Sequence, residues 1–171
     1  QLLELYVLLG DVDSARGVNT PPTALDQLGI LWAAGDIEPA AGMVYGGEFG
    51  PLETLAPELV SPILLDQALS DGNFARALAQ LSTALPFKET LPPQMVGWRW
   101  GFYAYANLAQ LLAASGDTSA ASRLQTEIEK WMAADEVRFP RHVLLNDQVR
   151  ALLLAYAGRS DEACALLDRT Y

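Results

Sequence analysis

The residue types that most often perform chemistry are scarce in this chain of 171 residues. It contains one histidine, His142, and one cysteine, Cys164, so neither type can supply the paired ligands of a zinc site. The glycine-rich segment 42–50 lacks the lysine and following hydroxyl of a phosphate-binding loop, and we interpret it as a linker. Acid pairs such as Glu127 with Glu129 are explained by helix ends or solvent-facing surfaces. We therefore predict no catalytic residues, no metal site and no cofactor.

His142 and Cys164 each have a structural interpretation. His142 lies between Arg141 and Val143 at a predicted helix start, which favours a surface or capping role. Cys164 has small apolar neighbours, and we expect it to be a small buried residue.

An aromatic segment at 97–105 is the clearest candidate for ligand binding. On a helix, Trp98, Phe102 and Tyr105 would share one face, while Arg99 and Tyr103 would share another. With Trp100, these side chains could form a platform for a ring or an acidic group. The alternative, which we favour, is that the rings fill a space opened by the proline-rich segment 86–93.

The net charge of −10 lies entirely in the first half of the chain. Residues 1–75 contain eleven acids and one base, while residues 76–171 contain ten of each sign. An acidic surface repels phosphate backbones, so we predict no nucleic-acid binding and expect a protein or peptide partner, with a basic one as the natural complement. The simpler interpretation, a solvated acidic face that keeps the domain soluble, is favoured.

The content of hydrophobic residues, 51 %, is high for a thin helical array. We expect some apolar side chains to face a second copy of the chain or another domain of the same protein. Arg99, Asn107 and Gln110 interrupt the longest weakly charged stretch, so we predict no membrane insertion. We also expect a soluble protein and favour a cytoplasmic over a periplasmic location. Because Gln1 opens an apolar run without a basic leader, we expect the chain to be part of a longer protein.

Apolar residues recur at three- and four-residue spacing, which predicts an all-α fold. The predicted helical segments are 2–9, 25–32, 63–69, 74–85, 102–112, 121–131 and 143–154. Prolines mark boundaries at Pro21, Pro86–Pro93 and Pro140. The longest irregular stretch, 42–58, is the predicted hinge within a single domain of residues 1–171.

Five junctions between helices share a glycine followed five residues later by an alanine. The pairs are Gly10 with Ala15, Gly35 with Ala40, Gly72 with Ala77, Gly116 with Ala121, and Gly158 with Ala163. Glycine can adopt the left-handed conformation that ends a helix, and the next polar residue can cap the following helix. The predicted caps are Asp11, Asp36, Asn73, Asp117 and Ser160. An alanine one turn later lets two antiparallel helices approach closely.

This pattern resembles the tetratricopeptide repeat, in which helical hairpins have glycine in the turn and alanine on the second helix. Leucines eight residues before their glycines, such as Leu64 and Leu108, extend the match. Successive glycines are 25, 37, 44 and 42 residues apart, against about 34 in the family. The resemblance thus implies stacked antiparallel hairpins in an irregular right-handed superhelix, with a shortened second helix in the first interval and longer helices in the last two.

The same resemblance implies a concave groove, lined by the first helices, that holds a peptide. Carried over by position, the candidate residues of this groove are Trp32, Asp66, Tyr103, Asn107, Gln110, Gln148 and Tyr156, and the aromatic segment adds Trp98, Arg99 and Trp100. Because Ala106 and Gln148 stand where clamps for a terminal carboxylate need a cation, we do not expect that type of clamp.

Two functions follow from these expectations. The first is a non-catalytic protein–protein or peptide interaction domain, acting as a scaffold or regulatory part of a larger protein. An excess of arginine over lysine favours a bacterial source. The alternative is a ligand-sensing domain of a signalling or transcriptional regulator that encloses a small molecule, such as a sugar or peptide, on aromatic and amide side chains.

Overall fold

A computed structural model describes residues 11–17, 23–49, 57–85, 99–134 and 140–170, and this part of the chain is all-helical. Its nine helices are α1 (Val12–Arg16), α2 (Ala24–Ala33), α3 (Ile37–Tyr45), α4 (Pro57–Asp71), α5 (Phe74–Ala84), α6 (Arg99–Ala114), α7 (Thr118–Ala134), α8 (Pro140–Tyr156) and α9 (Ser160–Thr170). The predicted all-α fold is confirmed, although the predicted helix 2–9 and Gly10 lie outside the described residues.

The chain divides into two compact units, Gln1–Leu55 and Ala56–Tyr171. The division falls inside the segment 42–58, but that segment is less irregular than predicted. Residues 42–45 complete α3, and residues 57–58 already belong to α4. The linker interpretation of 42–50 is wrong for its first four residues, because glycine there is tolerated inside a helix. A hinge at this place stays a prediction.

Proline marks the start of two helices in the second unit. Pro57 is the first residue of α4 and Pro140 is the first residue of α8, positions where the missing N–H has no partner to lose. A third proline, Pro62, lies inside α4.

Four of the five predicted glycine junctions fall in the described residues, and each has a left-handed glycine. The φ angles are 80° at Gly35, 74° at Gly72, 95° at Gly116 and 75° at Gly158. At Gly116 the end of α6 is closed by two backbone hydrogen bonds, from Gly116 N to Ala113 O (3.0 Å) and from Asp117 N to Leu112 O (2.9 Å). This is the paired hydrogen-bond pattern that stops a helix at a glycine.

The predicted caps are confirmed at three junctions, Asp36 is at the predicted cap position without the side-chain bond, and Ser160 is wrong. The carboxylates of Asp11 and Asp117 and the amide oxygen of Asn73 each accept a hydrogen bond from a backbone N–H in the first turn. Asp36 precedes α3 without such a bond from its side chain. Ser160 is the first residue of α9 and not its cap, because the preceding Arg159 supplies the carbonyl that accepts the first helical bond.

The five alanines occupy one equivalent position. The N–H of each donates to the carbonyl of the residue that follows the junction glycine, at 3.0–3.5 Å. All five side chains are buried, with exposures of 0–6 %. This burial is what the packing reason inferred from the sequence requires, because a larger side chain at a buried position would clash with its surroundings.

The helices of the second unit pack in consecutive hairpins. The helices of three pairs, α4 with α5, α6 with α7 and α8 with α9, pack together, and α6 also packs against α4, α5 and α8. The core includes Ile63 and Leu64 of α4, Leu111 of α6, and Leu124 and Ile128 of α7. In the first unit, α1 packs on α2 and α2 on α3, and α1 has only five residues, as the short first repeat interval predicts. The right-handed superhelix stays a prediction.

Candidate functional site

Among the predicted groove residues whose side chains are described, Asn107 is the most buried, with 8 % of its surface exposed. Its Nδ2 donates a hydrogen bond of 3.0 Å to Oγ of Ser61, which is fully buried on α4. The bond connects α4 to α6 and gives the amide a structural partner inside the protein.

Tyr103 belongs to an aromatic cluster that also contains Phe102, Trp131 and His142. The His142 ring stacks on Phe102 with centroids 4.4 Å apart, and it meets the Tyr103 ring edge-on at 5.5 Å. The Trp131 ring also stacks on Phe102, with the two centroids 5.5 Å apart. His142 is only 3 % exposed, so the predicted surface position is wrong, while the capping alternative stays a prediction. The cause is the neighbouring aromatic rings, which bury one face of the imidazole after α6, α7 and α8 pack together.

The other predicted residues are spread over the structure. Trp32 and Tyr156 are 37 % and 49 % exposed. Those that are half-buried are Asp66, Gln110 and Gln148. Arg99 and Trp100 begin α6, and their side chains, like the whole of Trp98, lie outside the described part. Tyr103, Asn107 and Gln110 share one face of α6 by their spacing of four and three residues.

A described concavity lies elsewhere, lined by residues of α7, α8 and α9. It is a cleft of about 870 Å³, which we call the α8–α9 cleft. Its lining residues are Ser122, Arg150, Leu153, Leu154, Ala157, Arg159, Glu162, Ala165, Leu166, Asp168 and Arg169. None of the ten residues predicted from the sequence is among them.

Two helical stripes form the walls of the α8–α9 cleft. The first begins at Arg150 on α8 and the second at Glu162 on α9, and each continues three, four and seven residues later. That spacing places each set along one side of its helix. The signal was therefore available in the sequence as two sets of residues at helical spacing, but nothing local distinguishes a set that faces a cleft from one that faces solvent.

The floor of the cleft is apolar. Leu166 is buried and packs with Ala151 and Ala163, and the partly buried Leu154 lies against the same cluster. Leu153 is half-buried, whereas eight of the eleven lining residues are exposed. The cleft is thus an open groove on the surface, with a small leucine floor.

The rim of the cleft is charged, and its strongest ion pair is Arg159 with Glu162. Two hydrogen bonds of 2.6 Å, from Nε and Nη2, reach the two oxygens of the Glu162 carboxylate. Hydrogen bonding to Arg159 lowers the pKa of Glu162, and the same bonds raise the pKa of Arg159. Both groups therefore stay charged at neutral pH.

The remaining two arginines of the rim are less engaged. Arg150 lies 3.5 Å from Glu129 and 3.6 Å from Asp147. Arg169 donates from Nε to the backbone carbonyl of Ala165 at 3.0 Å, and it makes no ion pair within the described part of the chain. Arg169 is thus the cleft arginine without a carboxylate partner among the described residues, and its two terminal nitrogens keep their N–H groups for other acceptors.

A buried polar network joins residues of α7 and α8. Gln125 is 5 % exposed, and its Nε2 donates to Oδ1 of Asn146 at 2.6 Å and to Glu129 at 3.2 Å. The Oε1 atom of Gln125 and the Nε1 atom of Trp131 are buried without a hydrogen-bond partner. The network connects α7 to α8 and, through Glu129, to Arg150 on the rim.

Other chemical features of the described residues are few. Cys164 is exposed on α9, so its predicted burial is wrong, since the residues of that helix that pack towards α8 include Ala163, Leu166 and Leu167 but not Cys164. No three metal-binding side chains cluster within the described ranges. Among the described helices, none is both long and apolar enough to cross a membrane.

Comparisons with family models, with curated proteins and with solved structures gave no match to this chain.

Proposed function

We propose that this chain is a non-catalytic interaction domain of a larger regulatory protein and that it binds a segment of a partner protein in the α8–α9 cleft. The observation that supports this function is an open groove with a leucine floor and a charged rim, formed along two helices. Apolar floors provide binding energy, and charged rims select the partner and its orientation.

The shape of the cleft favours a peptide over an enclosed small molecule. Small-molecule sites bury most of the ligand, whereas eight of the eleven residues that line this cleft are exposed. Among the described lining residues there is also no aromatic ring, which a sugar-binding platform would use. The peptide alternative therefore takes precedence over the sensor alternative.

The proposed function can be tested by selecting peptides from a random library displayed on phage. The full chain is the target, and the variants Leu153→Glu and Ala165→Glu place a charge on the α8 and α9 walls. Leu69→Glu is the control, because Leu69 is 60 % exposed on α4 and lies outside the cleft. Circular dichroism confirms that each variant is folded.

We expect enriched peptides that bind the full chain and Leu69→Glu but lose affinity for both cleft variants. Failure to enrich any peptide would argue against an interaction domain. Peptides that bind all four proteins equally would place the binding site outside the cleft.

A further inference from the structure

We infer that the partner segment is an acidic amphipathic helix, whose apolar stripe lies on the leucine floor and whose carboxylate binds Arg169. The inference rests on the proposed function and specifies the chemistry of the partner. The shape of the cleft and the charges on its rim both support such a partner.

The shape of the cleft matches a helix. Each wall is a stripe of eight positions, from Arg150 to Ala157 and from Glu162 to Arg169. The rise along such a stripe is about 10 Å, or two turns of helix. A groove between two helices accepts a third helix when the incoming side chains recur at the same three- and four-residue spacing. The small residues Ala157 and Ala165 leave room for such side chains.

The charges of the cleft favour an acidic partner. The lining contains three guanidinium groups and two carboxylates, a net positive charge in a chain whose net charge is −10. Arg159 is already neutralised by Glu162 through two hydrogen bonds. Arg169, by contrast, makes no ion pair with any described residue, although Asp168 is its neighbour on α9.

An incoming carboxylate can therefore bind Arg169 without breaking an existing ion pair. The guanidinium retains the four N–H groups of its two terminal nitrogens, which fit the two oxygens of a carboxylate. A cationic partner would instead place like charges beside Arg150 and Arg169. If the cleft binds an acidic partner and the acidic first half of the chain binds a basic one, the two partners have opposite charge.

The test uses the full chain and three labelled helical peptides of about 15 residues, a length at which a helix can form in solution. The acidic probe has leucine at three- and four-residue spacing, with flanking glutamates. In the basic probe lysine replaces every glutamate, and the scrambled probe has the acidic composition without the leucine stripe. Binding is measured by fluorescence anisotropy at about 50 mM and about 500 mM NaCl.

We expect the acidic probe to bind at least about fivefold more tightly than the basic and scrambled probes at low salt, and the difference from the basic probe to shrink at high salt. Arg169→Glu should weaken the acidic probe by about fivefold and strengthen the basic probe. The matched control is Arg123→Glu, because Arg123 is exposed on α7 and does not line the cleft.

Equal binding of the acidic and basic probes would overturn the inference, as would equal effects of Arg169→Glu and Arg123→Glu. A scrambled probe that binds as tightly as the acidic one would also overturn it, since charge alone would then suffice. If the library selection succeeds but its peptides are neither acidic nor helical in pattern, the proposed function holds and this inference fails. Sedimentation showing a dimer that Arg169→Glu dissociates would assign the cleft to a second copy and overturn the inference too.

Discussion

Nδ2 of Asn107 in α6 donates a hydrogen bond of 3.0 Å to Oγ of Ser61 in α4, and both side chains are buried. The two residues are 46 positions apart in the sequence, so only the packing of the two helices brings them together. The sequence suggested Asn107 for ligand binding, and this contact gives it a role in stability.

Replacing Asn107 by alanine should lower the free energy of unfolding by about 1–3 kcal/mol, because the Ser61 hydroxyl loses its partner in a buried place. Urea denaturation followed by circular dichroism measures the change. The control is the double variant with Ser61→Ala, which should cost less than the two single changes together. Strict additivity would mean that the hydrogen bond does not contribute to stability.

Ala121→Leu should also destabilise the protein, by about 1–3 kcal/mol, because the alanine methyl is fully buried at the start of α7 and a larger side chain would overpack the hairpin. Ala133→Leu provides the matched control on the same helix, at an exposed position. Thermal melts of both variants measure the difference. Equal melting temperatures would remove the argument for close helix contact at the repeat alanines.

Two glycine substitutions should have opposite signs. Gly116 has φ of 95°, so Gly116→Ala forces a side chain into the left-handed region at a cost of about 1–2 kcal/mol. Gly42 lies inside α3 with open space around its Cα, and Gly42→Ala should stabilise the protein by about 0.5–1 kcal/mol. Chemical denaturation distinguishes the two. A stabilising effect of Gly116→Ala would contradict the turn conformation described here.

The buried Tyr105 should make the protein less stable at alkaline pH. Burial raises the pKa of its hydroxyl above the ordinary value of 10.0, because the charged form is desolvated in the protein. The stability that the neutral hydroxyl contributes is fully present below pH 10.0 and is lost as the pH rises through the folded-state pKa. Urea unfolding at pH 8 and at about pH 11 should therefore show a larger loss of stability in the natural chain than in Tyr105→Phe. Tyr156→Phe, at an exposed ring, is the control, and an equal effect would contradict the assignment to Tyr105.

Glu162→Gln should strengthen binding of the acidic probe by about two- to fivefold, because it releases the Arg159 guanidinium from its carboxylate partner. Asp161→Asn removes the same charge from the adjacent residue, which is exposed and does not line the cleft. Fluorescence anisotropy compares the two variants. If both changes strengthen binding equally, the effect is a general reduction of negative charge and not a release of Arg159.

The sequence predicted the helices and their hairpin junctions because the signals involved are local. Apolar spacing identified the segments that became α2 and α4–α8, and the left-handed glycines and buried alanines follow from the requirements of a tight turn within a few residues. The prediction of local structure was nevertheless wrong where the sequence permits two local conformations. Residues 42–45 could extend a helix or form a linker, and Ser160 could cap α9 or begin it.

The candidate site could not be predicted in the same way. His142 appeared to be a surface residue because the rings of Phe102 and Trp131 that cover it come from two other helices. Cys164 appeared to be buried because its apolar neighbours, which do face α8, said nothing about its own direction.

The sequence by itself determined the helical class of this protein, the positions of its turns and the small residues that let helices approach, since each depends on conformational preferences within about one turn of helix. Tertiary structure decided which polar groups are buried and where a cleft forms. The stripes that begin at Arg150 and Glu162 become the two walls of one groove only because α8 and α9 pack side by side.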